Sequence, residues 1–86
     1  MYPRGGYRKA IILLYFALVT IHEIIAKNIR SYRKKRNLTQ EALAGKVSFH
    51  ANYIARVERC EEKLSLDGMA KIAKALKVSF SALVEE

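Results

Sequence analysis

The chain has 86 residues, the size of one small domain. Sixteen Lys and Arg face eight Asp and Glu, and the net charge of +8 directs attention to a polyanionic partner, nucleic acid first and an anionic membrane surface second. Hydrophobic residues make up 51% of the chain, which excludes wholesale disorder and allows a packed core.

Residues 1–20 differ from the rest. Arg4, Arg8 and Lys9 precede an unbroken apolar run over residues 10–19, the order of charge and hydropathy found in a signal peptide. No convincing small-residue cleavage site follows in Thr20-Ile21-His22-Glu23. The run is shorter than the roughly 20 residues that span a bilayer. Three readings stay open: a helical arm for dimer contact or core packing, an anchor contacting membrane through residues 8–21, or sequence upstream of a true start near Val19.

From residue 21 the pattern is regular, and a domain over residues 21–86 is expected. Ile21, Ile24, Ile25, Ile29 and Tyr32 recur at helical spacing, with Lys27, Arg30, Lys34 and Lys35 on other faces. This predicts a helix from about residue 21 to 36, ended by Asn37, a residue that tolerates the left-handed conformation. Thr39 is a good N-cap for a second, short helix ending near Lys46. A tight connection, Val47-Ser48-Phe49, leads to a third helix over residues 50–59. Residues 60–64 form a loop, and Ser65 caps a fourth helix with Leu66, Met69, Ile72, Ala73 and Leu76 as its apolar stripe. Ser79 caps a last short helix carrying Phe80, Leu83 and Val84.

Pro occurs only at Pro3, and the chain beyond Gly6 is nearly free of helix breakers, so the expected class is all-α. Cys60 is the lone cysteine and cannot form an internal disulfide, so a cytoplasmic location is the default. His22, His50 and Cys60 lack metal-ligand spacing, and no metal or cofactor is expected. A nucleophilic pair of Cys60 and His50 has no third orienting group and little room for a substrate cleft. The chain reads as a non-enzyme.

Two short helices joined by about four residues in a basic helical domain form a helix-turn-helix arrangement. On the second of them, Ala51, Asn52 and Ala55 make one face slender enough for the ~12 Å major groove. Asn52 can bond an adenine edge twice, and Arg56 can do the same for guanine or reach a phosphate. Ile54 and Val57 point the other way, toward the core. Tyr53 is open to packing inward, meeting a thymine methyl or bonding a phosphate. Lys27 and Arg30 suit a solvated face as well as a ligand face.

The order Ile29-x3-Arg33, Leu38-Thr39-Gln40-Glu41-x-Leu43-Ala44, Tyr53-Ile54-x2-Val57-Glu58-Arg59, Leu64-Ser65-Leu66 and Ile72-Ala73-Lys74-Ala75-Leu76-x-Val78-Ser79 resembles the phage-repressor and Cro-like (XRE-type) helix-turn-helix family over about residues 24–84. The resemblance implies a compact five-helix, lambda-repressor-like fold and a transcriptional regulator of double-stranded DNA. It places Ala51, Asn52, Ala55 and Arg56 at base-reading positions. It makes Gln40 a phosphate contact, and Thr39, His50, Tyr53, Arg59, Lys63, Lys35 and Arg36 are expected to join it. Arg33 and Glu58 match a family salt bridge between the first and third helices. Phe80, Leu83 and Val84 match the dimer surface of the smallest members. Restriction–modification controller proteins, small phage repressors and antitoxin regulators all fit.

One recognition helix reads few base pairs, so a homodimeric repressor or autoregulator on a two-fold symmetric operator is expected. An antitoxin-like protein-interaction subunit and a membrane-tethered regulator are the competing readings. Two residues depart from the family pattern. Cys60 and Lys77 stand where glycine usually ends a helix, which leads one to expect a different construction at both ends.

Overall fold

The computed structural model describes residues 4–86, with side chains described from Arg8 onward; Met1, Tyr2 and Pro3 of the predicted arm lie outside the described residues. Four α-helices and a 3₁₀ turn follow in order: α1 (Arg4–Lys35), α2 (Gln40–Val47), α3 (Ala51–Glu58), α4 (Leu66–Leu76) and the turn Ser81–Val84. The described residues contain no strand. The all-α class holds, with the fifth helix reduced to one 3₁₀ turn.

The largest difference from expectation is α1. The predicted start at residue 21 lies inside one continuous helix of 32 residues. A change of composition does not stop a helix; only a backbone that cannot propagate does. No Gly or Pro interrupts residues 7–44, and Thr20 is accommodated within the helix, its hydroxyl donating to the Phe16 carbonyl at 2.9 Å.

The core gathers Ile25 and Ile29 of α1, Leu43 and Val47 of α2, Ile54 and Val57 of α3, and Met69, Ile72 and Leu76 of α4, closed by Leu64 and Leu83. Of the predicted α1 stripe, Ile25 and Ile29 are buried, Ile24 and Tyr32 half-buried, and Ile21 exposed, because it lies beyond the edge of the helical body. Leu66 also departs from its predicted place. It is the first residue of α4, turned to solvent at 73% exposure, and Met69, Ile72, Ala73 and Leu76 form the stripe without it.

Polar residues start the helices as the sequence suggests. Thr39 accepts a hydrogen bond from the Ala42 amide at 3.0 Å, and Ser65 accepts one from the Gly68 amide at 3.0 Å. Ser79 accepts from the Ala82 amide at 3.2 Å and fixes the 3₁₀ turn. Gly68 sits in a crowded place, since a β-carbon there would lie 2.8 Å from Leu64 Cδ1 and that side chain would have to shift.

All four α-helices end on a left-handed residue, and none of these is glycine: Asn37, Ser48, Cys60 and Lys77, with φ of 57, 60, 62 and 59°. Each is followed by an amide that reaches back to a carbonyl of the last turn, as in Leu38 to Arg33 at 3.1 Å, Phe49 to Ala44 at 2.9 Å, Glu61 to Arg56 at 2.8 Å and Val78 to Ala73 at 3.0 Å. The ends at Cys60 and Lys77 are therefore not built differently from a glycine end. Satisfying the last carbonyls outweighs the roughly 1–2 kcal/mol that a β-carbon costs in this conformation. Cys60→Gly and Lys77→Gly are each expected to raise the unfolding free energy by about 0.5–1 kcal/mol, the relief being offset in part by a more flexible unfolded chain. Urea unfolding at constant slope checks this; a loss of stability at both positions would contradict it.

Candidate nucleic-acid interface

α3 stands on the surface with its apolar side down. Ile54 and Val57 are buried, Ala51 and Ala55 half-buried, and Asn52 and Arg56 exposed. The residues predicted to read bases therefore share one outward side, and the described part of α1 does not cover them. His50 is the N-cap of α3, but its side chain makes no capping bond and stays exposed beside Asn52 at the rim of a shallow groove completed by Ser48, Phe49, Tyr53 and Arg56.

The helix is held in this pose by its neighbours. Phe49 meets Tyr53 edge-on at 5.3 Å between ring centroids, and the Tyr53 hydroxyl donates to the Lys63 carbonyl at 3.2 Å, tying α3 to the following loop. Burial, then the nearby charge of Glu62, push the Tyr53 phenol above its ordinary range, with Arg56 opposing. Of the three openings left to Tyr53 by the sequence, the side chain takes the inward one.

Beneath α3 lies an ion pair. Arg33 donates from Nε to Glu58 Oε2 at 2.7 Å and from Nη2 to Glu58 Oε1 at 3.0 Å. Its third contact, Nη1 to the Leu38 carbonyl at 2.9 Å, ties the α1–α2 connection into the same site. The Arg33 and Glu58 side chains are only 10% and 3% exposed. The hydrogen bonds that Arg33 donates to Glu58 raise its already high pKa, against the effect of burial. Gln40 adds a fourth contact, its side-chain amide donating to Glu58 Oε1 at 3.1 Å. Gln40, predicted to touch phosphate from the start of α2, thus also braces α2 against α3.

Several residues predicted to contact phosphate also make contacts within the free protein. Arg36 is the clearest case. Its Nε donates to the Leu76 carbonyl at 2.8 Å and its Nη2 to the Lys77 carbonyl at 3.4 Å. The last carbonyls of α4 lack helical donors and carry partial negative charge, so the guanidinium caps that helix rather than facing outward beside α2. Lys35 places its ammonium 5.3 Å from the Tyr32 ring on α1. Lys63 is exposed on the α3–α4 loop, and Thr39 is exposed with its hydroxyl serving the α2 cap.

Two acidic residues that the sequence reading passed over lie next to the exposed arginines. Arg56 Nε is 3.3 Å from Glu62, and Arg59 bonds Glu61 through Nε at 2.8 Å and Nη2 at 3.0 Å. The Arg59 hydrogen bond holds the Glu61 carboxyl below its ordinary range. All four side chains are largely in water, so these pairs contribute little to stability. The available signal was the Glu61-Glu62 doublet, a few residues after Arg56 and Arg59 in an otherwise basic chain.

The predicted dimer surface divides. Phe80 and Val84 are each 42% exposed, whereas Leu83 is wholly buried in the core of its own protomer and cannot offer its side chain to a second copy. Leu83 is the buried residue of the turn Ser81–Val84, while Phe80, just before the turn, and Val84, its last residue, stay at the surface. The turn is clipped to α1 by the Asn28 side-chain amide, which donates to the carbonyls of Leu83 at 2.9 Å and Glu85 at 2.7 Å.

The helix-turn-helix family model HTH_3 matches residues 29–83, from the core face of α1 to the 3₁₀ turn. The chain belongs to this family. It is an XRE-type DNA-binding transcriptional regulator and not an enzyme. The regulator is similar to the control protein C.SmaI of Serratia marcescens, with 45% identity over 64 residues that cover 74% of this chain and 76% of that protein. The control protein C.BamHI of Bacillus amyloliquefaciens is 36% identical over 66 residues, covering 76% of this chain and 82% of that protein. Among solved structures, the restriction-modification controller protein C.AhdI from Aeromonas hydrophila matches with a TM-score of 0.69 at 29% identity, over 72% of this chain and 94% of that one.

Proposed function

We propose that this regulator represses or autoregulates transcription as a homodimer bound to a two-fold symmetric operator. The observation that carries the reading is the exposed pair Asn52 and Arg56 on α3, flanked by two alanines low enough to let the helix enter a major groove. Asn52 and Arg56 read base edges, and Ala51 and Ala55 supply close apolar contact. Gln40, Thr39, His50, Arg59 and Lys63 lie toward the phosphates at the flanks of the helix, where contact positions the protein without reading sequence. One such helix covers too few base pairs to select a site alone. Phe80 and Val84 supply exposed apolar surface for a second copy. The likeness to two control proteins and to a restriction-modification controller supports regulation of this kind.

Selection of bound sequences from random double-stranded DNA tests the proposal. An enriched site with two inverted halves about one helical turn apart is expected. Enrichment of one unpaired half-site, occupied by a single copy, would overturn it. The dimer contact has its own check. Phe80→Asp is expected to weaken self-association by roughly 2 kcal/mol, as loss of a central interface aromatic does, seen as monomer in sedimentation at concentrations where the parent is dimeric.

A further inference from the structure

We propose that the amino-terminal half of α1 is inserted end-on into a lipid bilayer, with the DNA-binding body held at the membrane surface. Ile11, Ile12, Leu13, Leu14, Tyr15 and Phe16 are consecutive, and each is 50–70% exposed. Successive helical residues turn by about 100°, so these six carry apolar surface around the whole circumference. A helix that is apolar on every side belongs in a large core or in lipid. The body supplies no such core, since its burial of α1 begins only at Ile25.

The alternatives to a bilayer leave too much apolar surface in water. A two-stranded seam with a second copy uses a stripe such as Ile11, Leu14, Leu18 and Ile21, and leaves Ile12, Leu13, Phe16 and Val19 exposed. Lying flat in the headgroup layer requires a polar face, and residues 10–19 have none. By length and composition the helix from Arg8 onward meets the requirement for crossing a membrane. No charged residue lies between Lys9 and Glu23, an apolar rod of about 20 Å. Arg8 and Lys9 at one end, and Lys27 at the other, have stems long enough to reach headgroups and make up the shortfall against a ~30 Å hydrocarbon layer. Thr20 is the one hydroxyl-bearing aliphatic residue between those ends, and its bond to the Phe16 carbonyl keeps that hydroxyl paired in lipid. Basic residues are denser on the body side, where Lys27, Arg30, Arg33, Lys34, Lys35 and Arg36 follow, than on the outer side with Arg4, Arg8 and Lys9. That asymmetry orients the body toward the cytoplasm, where DNA is.

The inference is independent of operator symmetry and of the dimer contact. Its test is flotation of the full chain with vesicles of phosphatidylethanolamine and phosphatidylglycerol in a density gradient. The parent protein is expected to float, to resist high salt and alkaline carbonate, and to be released by detergent. Leu13→Lys with Phe16→Lys is expected to lower the floated fraction on the order of 100-fold while DNA binding persists, because both residues lie outside the folded body. In intact cells Cys60, exposed and the lone cysteine, is expected to react with a membrane-impermeant maleimide only after the cells are opened. A parent protein that stays in the supernatant as a discrete oligomer, which the double variant reduces in mass, would establish a second copy as the occupant and overturn the proposal. Continued flotation of the variant, or labelling of Cys60 in unopened cells, would also overturn it.

Discussion

Glu58→Ala is expected to lower the unfolding free energy by about 3–5 kcal/mol, the penalty for leaving one partner of a buried ion pair behind. The magnitude follows from what remains. The Arg33 guanidinium keeps only the Leu38 carbonyl, and Gln40 loses its acceptor, in a site where both ionic side chains are at most 10% exposed. Small domains have roughly 5–15 kcal/mol in total, so the variant stands near the edge of folding. Urea unfolding measures the loss, and a change below about 1 kcal/mol would show that the pair is not desolvated as the geometry indicates. Removing both charges separates the terms. Arg33→Met with Glu58→Leu is expected to recover most of the stability, since well-packed apolar replacements of buried pairs are often neutral or better. Loss of DNA binding in Arg33→Ala alone therefore reports a displaced α3 and not a lost contact.

Arg56→Ala is expected to cost roughly 1–3 kcal/mol of discrimination at one base position of each half-site while leaving the fold intact. Arg56 is exposed and its partner in the free protein, Glu62, is equally exposed at 3.3 Å, so releasing it to a base edge costs little. Competition binding across single-base variants of the selected site measures this. Equal weakening at every variant would make Arg56 a phosphate contact only. Glu62→Gln supplies the complement. Without a carboxylate competing for Arg56 and repelling phosphates, affinity for all sequences is expected to rise by roughly 0.5–1 kcal/mol, with the larger gain at low salt. Together the two variants separate a residue that reads sequence from one that restrains it.

What the sequence made legible was local, or carried by a long ordered match. The caps at Thr39 and Ser65 could be read because each serves an amide three residues away. The outward face of α3 followed from alternation of Ile54 and Val57 with Asn52 and Arg56. Contacts across the chain were not legible. Arg36 looked like one more basic residue before α2, yet its acceptors are carbonyls 40 and 41 residues later. Leu83 looked like its neighbours Phe80 and Val84, yet it alone of the three closes the core against α1, more than fifty residues earlier in the chain, while they stay at the surface. At residue 20 the composition changes and the backbone does not, because apolarity says where a helix is buried and not where it stops. The left-handed ends at Cys60 and Lys77 show the same limit: a residue's preference is a tendency of about 1 kcal/mol, and unsatisfied helix carbonyls outweigh it.

The clasp between Asn28 and the final turn bears on how the protein is born. Leu83, with no exposed surface, plugs the core from 54 residues downstream of Ile29, and the Asn28 amide reaches acceptors 55 and 57 residues away. A nascent chain on the ribosome can form the caps and individual helices, but its hydrophobic centre stays open until Leu83 has cleared the exit tunnel. At about 5–20 residues per second, that leaves a few seconds in which the apolar face of α1 is sticky, a window that a chaperone or a membrane can occupy before the fold closes.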